Sequence, residues 1–414
     1  MKVLSWLFCV GLGGLLYYTA SPPEEPDAVL VFTGEIRGYL SPCGCAKPQI
    51  GGVKRMAGFV KAQTRNPNAV YVDLGNWTKA EGRQDELKAE TLAGVFAELK
   101  PAYLNVAEKD IKLGSAYLRA LNEIAGGMLD SASFQLDDSI KHLPFKDVKH
   151  FRIQGMLSER QAEFLGNKGR GVDVALQLAK TDAKPLVVLF NGPRLEAEQL
   201  AKDYPWISLI IFPQQGDPDK TIRKVGKVSV VSLPDRMRYV GRIEWKNREW
   251  QNLSFFELGP EYQDDKSAVV AYRAYLQRVK EENLIADIVR TEGNAKYVGS
   301  NACASCHGDA YMVWKKSRHA EAMPTLEETG NDFDPECVGC HVVGLTDVSG
   351  YRDMKTTPHL GAVGCESCHG PASNHLKDVY APYGKAGEES CMKCHVPDHS
   401  PGFDFKTYWE SIKH

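Results

Sequence analysis

The motif Cys-x-x-Cys-His occurs four times in the C-terminal third of this 414-residue chain, beginning at Cys303, Cys337, Cys365 and Cys391. Cysteines three positions apart lie on one face of a helical turn, so both thiols can bond to the same edge of one porphyrin. The histidine that follows each pair can then bind the iron of that porphyrin. The four copies therefore predict four covalently bound haem c groups.

Each motif contributes two attachment thiols and one proximal iron ligand. The predicted thiols are Cys303, Cys306, Cys337, Cys340, Cys365, Cys368, Cys391 and Cys394, and the predicted proximal ligands are His307, His341, His369 and His395. Zinc is the alternative, because four such cysteine pairs could fill two Cys₄ sites. A zinc site gives no reason for a histidine after every pair, so haem is the better interpretation.

Other histidines in this region are candidate sixth ligands. His319 follows His307 by twelve residues, or about 18 Å along a helix, so we expect it to bind the iron of a neighbouring haem. His375 follows His369 closely and is also predicted to bind a different iron. His414 ends the chain after an aromatic-rich stretch and is the third candidate. The weaker candidates are His359 and His399.

Composition divides the chain into two parts, and its length also favours two domains. Between positions 24 and 292 the chain has only two cysteines, whereas eight cysteines and nine of the eleven histidines follow. Strong apolar runs separated by helical patterns predict an α/β layered domain, followed by a mainly helical, loop-rich haem domain. We expect the α/β domain at 27–260, a connecting helix at 261–292 and the haem domain at 293–414.

The chain begins with Lys2 and a long uncharged stretch, which predicts that segment 1–23 is an export signal. The apolar run is longer than a typical signal core but shorter than most membrane spans, so a membrane tether through residues 3–20 is the alternative. Either interpretation places the rest of the chain in the periplasm or at the cell surface, where thioether attachment of haem takes place.

The charge of the haem domain restricts its partners. Residues 293–414 contain 11 Lys and Arg against 16 Asp and Glu, and haem propionates would add further negative charge. This balance disfavours a nucleic-acid partner. It favours redox protein partners that carry basic patches.

The order of strands and turns in the α/β domain resembles the metallophosphoesterase domain of the bacterial 5'-nucleotidase family. The matching segments are Thr33–Gly38, Asp73–Asn76 and Asn105–Glu108. Two-metal phosphoester cleavage needs carboxylates and imidazoles at these strand ends. This chain instead has Glu35, Arg37 and Asn76 there, and it has no histidine before position 142. The resemblance therefore implies a fold that has lost its metal ligands, and phosphoesterase activity is not expected.

Cys43 and Cys45 are the cysteines of the exported part that the haem motifs do not use. In an oxidising compartment two such neighbours would pair, although a bridge over so short a span is strained and easily reduced. One interpretation is a structural disulfide or two idle thiols. The alternative is a redox or metal-binding pair that exchanges electrons with the haems.

The haem domain resembles the tetrahaem cytochrome c family that accepts electrons from hydroxylamine oxidoreductase. The likeness rests on the first motif followed by Trp314, Ser317 and His319–Met323, and on Glu336–Val342 and Val363–Pro371. It implies three irons with two axial histidines each, whose distal ligands here are His319, His375 and His414. It also implies that the iron bound to His341 lacks a second protein ligand. His359 departs from the family pattern and is an alternative ligand for that iron.

These features predict an exported tetrahaem c-type cytochrome that transfers electrons in a respiratory chain, rather than an enzyme. One alternative is a reductase that binds a small nitrogen or sulfur species at an open haem iron above His341. Another is a redox sensor or ligand-binding module in which the α/β domain recognises a small molecule.

Overall fold

The computed structural model describes residues 25–42, 48–79, 82–132, 145–164, 171–396, 399–400 and 402–414. The candidate signal or tether at 3–20 and the pair Cys43 and Cys45 lie outside these ranges, so the roles predicted for them stay predictions. In the described part of the chain, no helix is both long enough and apolar enough to cross a membrane.

The strands all fall in the first 260 residues. They are β1 Ala28–Thr33, β2 Ala69–Asp73, β3 Tyr103–Asn105, β4 Leu129–Asp130, β5 Lys146–Asp147, β6 Arg152–Leu157, β7 Leu186–Asn191, β8 Ile207–Gln214, β9 Arg223–Val225, β10 Val228–Pro234, β11 Tyr239–Lys246 and β12 Glu249–Glu257. Strands β1, β7 and β10 are buried along their whole length, which explains why they read as continuous apolar runs.

The helices occur in both parts of the chain. They are α1 Val53–Gln63, α2 Arg83–Leu99, α3 Glu108–Ile111, α4 Ser115–Ile124, α5 Glu159–Phe164, α6 Val172–Ala179, α7 Arg194–Asp203, α8 Lys266–Glu281, α9 Gly308–Lys315, α10 Ala322–Thr329, α11 Pro335–His341, α12 Cys365–His369, α13 Glu388–Met392 and α14 Phe405–Trp409, with 3₁₀ turns at Ser300–Cys303 and Pro358–Leu360.

Two six-stranded sheets form the centre of the N-terminal part. The first has the order β12-β11-β1-β2-β3-β4, in which β1 to β4 are parallel and β11 and β12 are antiparallel to their neighbours. The second has the order β5-β6-β7-β8-β10-β9, with antiparallel strands at both edges. Because the parallel strands end at one edge of each sheet, their last residues are brought together there.

The sheets pack face to face and are covered by helices on both outer sides, which gives four layers. Leu30 and Phe32 of β1 share one apolar core with Val187 and Leu189 of β7. The outer face of the first sheet packs against α1, α2, α4 and α8, and that of the second sheet packs against α6 and α7. This arrangement buries both faces of both sheets.

Helix α8 occupies the middle of the segment 261–292. The side chain of Asp265 caps its N-terminus by accepting from the Ala268 amide at 3.0 Å, and Lys61 binds the same carboxylate at 2.9 Å. Tyr275 and Val279 are buried against the helices of the first sheet. The helix is therefore packed on the α/β part along its length.

Short helices and turns make up the C-terminal part. It has one small apolar cluster, in which Met323, Val338 and Leu360 are buried. The carboxylate of Glu366 is buried and accepts hydrogen bonds from the backbone amides of Gly299 at 2.7 Å and Ala372 at 2.8 Å. A single buried acid thus ties three separate segments together.

Candidate functional site

The four cysteine motifs sit on short helical turns. Helix α11 carries the second motif, and the Asp334 side chain caps it by accepting from the Glu336 amide at 2.9 Å. Helix α12 is the third motif itself. The first motif starts in the 3₁₀ turn at Ser300–Cys303, and the fourth spans the end of α13. In each motif, a helical turn brings the two thiols to the same side.

Thiols from different motifs touch each other. Cys303 of the first motif lies beside Cys365 of the third, and burial together with this neighbour raises the pKa of the Cys303 thiol to about 11. Cys340 of the second motif lies beside Cys394 of the fourth, and this neighbour lowers the pKa of the Cys340 thiol. The motifs are therefore arranged as two neighbouring pairs.

Six of the seven predicted iron ligands form three ring pairs, each between a proximal and a distal candidate. The centroid distances are 6.4 Å for His307 and His375, 6.2 Å for His395 and His319, and 5.8 Å for His369 and His414. Two imidazoles on opposite sides of one metal, with metal–nitrogen bonds of about 2 Å, have ring centroids about 6 Å apart. The spacing of the three pairs fits an iron between the rings of each.

Hydrogen bonds orient the proximal imidazoles. Nδ1 of His341 lies 2.6 Å from the carbonyl oxygen of Ala322, and Nδ1 of His369 lies 2.8 Å from that of Gly384. A carbonyl can only accept, so each ring carries its proton on Nδ1 and leaves Nε2 for a metal. These contacts match the chemistry that an iron ligand requires.

His341 differs from the other three proximal candidates. Among the ring contacts of the described residues, none joins His341 to a second histidine, although its ring is held by Ala322. His359 is exposed and lies against the backbone of Gly299, and His399 is half-buried. Neither of these weaker candidates is paired with His341.

In the α/β part, the ends of three strands meet around one buried acid. Glu35 follows β1 and accepts from the amides of Asn76 at 2.5 Å and Asn191 at 3.1 Å. The Arg37 guanidinium pairs with Glu35 at 2.8 Å and with Asp235 at 3.4 Å. Burial raises the pKa of Glu35, and Arg37 opposes that rise. The Arg37 guanidinium thus supplies the positive charge at the strand ends for which the resemblance to the 5'-nucleotidase family implies metal ligands.

No set of three or more His, Cys, Asp or Glu side chains that could hold a metal ion occurs within the described ranges. The backbone at the strand ends is nevertheless unusual for residues with side chains. Glu35, Arg37 and Asn76 all have positive φ, at 52°, 51° and 58°. Such conformations cost free energy and concentrate at functional sites. The backbone of these loops is therefore strained at three residues that surround the buried carboxylate of Glu35 or carry it.

Two more carboxylates support these loops. Asp110 accepts from the backbone amides of Asn76 at 2.7 Å, Trp77 at 2.8 Å and Ala107 at 2.9 Å. Asp73 accepts from the Thr33 hydroxyl at 2.6 Å. Burial raises the pKa of Asp73 to about 6 and that of Asp110 to about 7.

Replacing Asp110 with alanine should destabilise the protein by about 1–3 kcal/mol, because it removes both acceptor oxygens and leaves three buried backbone N–H donors unpaired. Chemical denaturation followed by circular dichroism measures the loss. Asp182→Ala is the matched control, since Asp182 is exposed and its change should stay within about 0.5 kcal/mol. Equal stability of the two variants would show that Asp110 does not support the loops.

The fold of the α/β part is that of the nucleotidases. A 5'-nucleotidase precursor from Thermus thermophilus superposes with a TM-score of 0.50 at 17% identity, covering 73% of this chain and 68% of that one. The NAD nucleotidase of Haemophilus influenzae gives a TM-score of 0.52 at 13% identity, over 66% and 63% of the two chains. At these identities the likeness shows the fold alone. It confirms the predicted α/β layered class.

The C-terminal part matches a cytochrome family. Residues 302–370 match the family described as cytochrome c554 and c-prime. Cytochrome c-554 of Nitrosomonas europaea is 36% identical over 115 residues, which cover 24% of this chain and 48% of the relative. The chain thus spans about half the length of that relative. Both resemblances inferred from the sequence are confirmed, and the cytochrome match supports covalently bound haem c in this region.

Several residues that organise the site were not predicted. The buried role of Glu366 and the cap formed by Asp334 have only weak sequence signals, a glutamate inside a motif and an aspartate before a proline. Lys88, a buried lysine of α2 that contacts α11, has no sequence signal, because it looks like an ordinary surface charge of an amphipathic helix.

Proposed function

We propose that this chain is an exported tetrahaem c-type cytochrome that transfers electrons in a respiratory chain. The observation that carries the proposal is the pairing of three proximal imidazoles with three distal ones from other segments. The eight thiols of the four motifs attach the haems, each of which supplies a one-electron iron centre when bound. The chain's own contribution is to attach, orient and bury these centres.

The ring pairs support a specific set of axial ligands. His307 with His375, His369 with His414, and His395 with His319 provide two imidazoles each to the first, third and fourth irons. His341 provides one imidazole to the second iron. Because every distal histidine comes from a different segment than its proximal partner, ligation ties the loops of this region together.

The thiol contacts support an order of electron transfer. The contact between Cys303 and Cys365 brings the first motif beside the third, and that between Cys340 and Cys394 brings the second beside the fourth. Burial raises the pKa of Cys368, and the nearby Cys391 raises it further. This proximity supports an arrangement in which the third motif lies beside the fourth. Electrons would therefore move along the order first, third, fourth and second, in either direction.

The partners are proposed to be redox proteins with basic surfaces that meet the acidic haem domain. The segment 1–23 is proposed to direct export, with a tether through residues 3–20 as the alternative. The α/β domain is proposed to serve the haem domain rather than to cleave phosphoesters, because its strand ends hold an arginine and amides in place of metal ligands.

Intact mass and spectroscopy of the protein matured in a host that attaches haem test this proposal. We expect a mass increase of four haems, three low-spin irons and one high-spin iron in the oxidised state. Zinc in place of haem, or fewer than four added macrocycles, would contradict it. A wild-type protein without any added haem would overturn the cytochrome assignment itself.

A second function is favoured by one observation, the absence of an imidazole partner for His341 within the described residues. An iron with a single protein ligand can bind a small nitrogen or sulfur species, which would make the protein a reductase. Titration of the oxidised protein with cyanide and of the reduced protein with nitric oxide separates the two functions. If cyanide or nitric oxide binds at one iron, the reductase function remains a candidate. If neither ligand binds at any iron, electron transfer is the function that remains.

A further inference from the structure

Lys88 is a lysine of α2 whose side chain is almost fully buried at the contact between the two parts of the chain. Its side chain is 3% exposed, and its Nζ lies 2.6 Å from a carboxylate oxygen of Glu336 and 3.7 Å from one of Asp85. A lysine is rarely buried unless it is paired, because its charge loses the solvation of water. The pair joins α2 directly to α11, the helix that carries the second cysteine motif.

Further contacts hold the same end of α11. Gln84, one turn before Lys88, donates to the Asp334 carboxylate at 2.7 Å and to the Tyr275 hydroxyl at 2.9 Å. Asp334 is the capping residue of α11, so α2 holds the first turn of that helix at two points. On the other side, the Lys280 ammonium of α8 lies 5.4 Å from the ring centroid of Phe333.

Lys88 also lies beside the loop after β1, which carries Glu35 and Arg37. Gly38 follows Glu35 and Arg37 in the loop after β1 and has a φ of 76°. A Cβ on Gly38 would lie 3.1 Å from Cδ and 3.3 Å from Nζ of Lys88, so only a glycine fits there without displacing the lysine. The strand-end edge of the α/β domain is therefore turned toward α11.

We propose that the α/β domain positions the second cysteine motif and raises the reduction potential of the haem attached there, with Lys88 as the positioning residue. This inference rests on the proposed function. Glu336 immediately precedes Cys337, so the ion pair lies beside an attachment thiol. A buried charge acts strongly on a nearby redox centre because little water screens it.

The sign of the effect follows from charge. Oxidation adds one positive charge to the haem, and a positive lysine nearby disfavours that step, so the potential rises. Loss of the lysine charge should lower the potential, and loss of the Glu336 charge should raise it. If Lys88 and Glu336 had a purely structural role, the two substitutions would not shift the potential in opposite directions, because either one would loosen the same contact.

The experiment compares Lys88→Met, Glu336→Gln and the double variant with the wild-type holoprotein by spectroelectrochemistry, following the high-spin signal of the second haem. We expect Lys88→Met to change the equilibrium constant for reduction of the second haem by about tenfold, toward the oxidised form. This corresponds to a fall of about 59 mV in its potential for one electron. Glu336→Gln should raise it by a smaller amount, because the Glu336 side chain is 48% exposed and solvent screens part of its charge. The double variant should lie between Lys88→Met and the wild type. The other three haems should stay within error.

Lys79→Met is the matched control. Lys79 approaches the same carboxylate of Glu336 at 4.0 Å but is 41% exposed, so solvent screens its charge and its loss should leave the potentials unchanged. If Lys88→Met does not accumulate, Glu336→Gln and its control decide the question. A shift of the same sign in both single variants, an equal shift of all four haems, or no shift would overturn the inference. Four attached haems in the same samples would show that the proposed function still stands.

Discussion

Replacing His414 with alanine is expected to convert the iron of the third motif from low spin to high spin. The His414 ring lies 5.8 Å from that of His369, a spacing that fits an iron between them, and alanine leaves that iron with one imidazole. Electron paramagnetic resonance of the oxidised holoprotein should show two high-spin irons instead of one. The number of attached haems should not change, because the thiols of the motif are untouched.

His359→Ala and His399→Ala are the controls for this change, since neither histidine is paired with a proximal ligand in the structure. Both should leave the high-spin count at the wild-type value. If His414→Ala kept three low-spin irons, the terminal histidine would not be a ligand. If His359→Ala instead raised the number of high-spin irons, His359 would be a ligand of the second iron that the three ring pairs do not include.

The stability of the α/β domain is expected to fall as the pH rises from about 4 to about 7. Burial raises the pKa of Asp73 to about 6 and that of Asp110 to about 7, while the unfolded chain has values near 3.9. The folded state therefore binds these protons more tightly than the unfolded chain does. Their contribution to the free energy of unfolding is complete below about pH 4, and it is lost as the pH rises past the pKa values of the folded state. One pKa unit corresponds to about 1.4 kcal/mol, so the loss is on the order of several kcal/mol.

Denaturation of the wild type and of Asp73→Asn across this pH range measures the effect. Asparagine resembles the protonated acid and does not titrate, so the variant should show a flatter pH dependence. Glu90 and Asp265 have lowered pKa values and act with the opposite sign, but their contribution is lost only as the pH falls below about 4.5. Identical pH profiles for the two proteins would show that Asp73 does not titrate on unfolding.

The buried strands could be predicted from the sequence, whereas the outer hairpin could not. Strands β1, β7 and β10 are enclosed on both faces, and each therefore appears in the sequence as a continuous, mostly apolar run. The hairpin of β11 and β12 has one partly exposed face and mixes charged with apolar residues, as in Arg242–Lys246, so it gives a weaker pattern.

The site divides in the same way. The attachment motifs are local, since two thiols and a histidine within five residues define each one, and they can be read from the sequence alone. The distal ligands needed an argument about reach, and the structure places the three main candidates next to proximal histidines. The contact between Lys88 and Glu336 joins residues 248 positions apart, and no short-range pattern indicates which charges will meet.

That long separation also has a consequence for biosynthesis. The nearer carboxylate partner of Lys88 lies on α11, so the α/β half leaves the ribosome before the group that approaches this ammonium at 2.6 Å. Its ion pair with Glu336 can form only when the later half has been delivered. A molecule whose halves have been exported but not yet joined therefore lacks this ion pair.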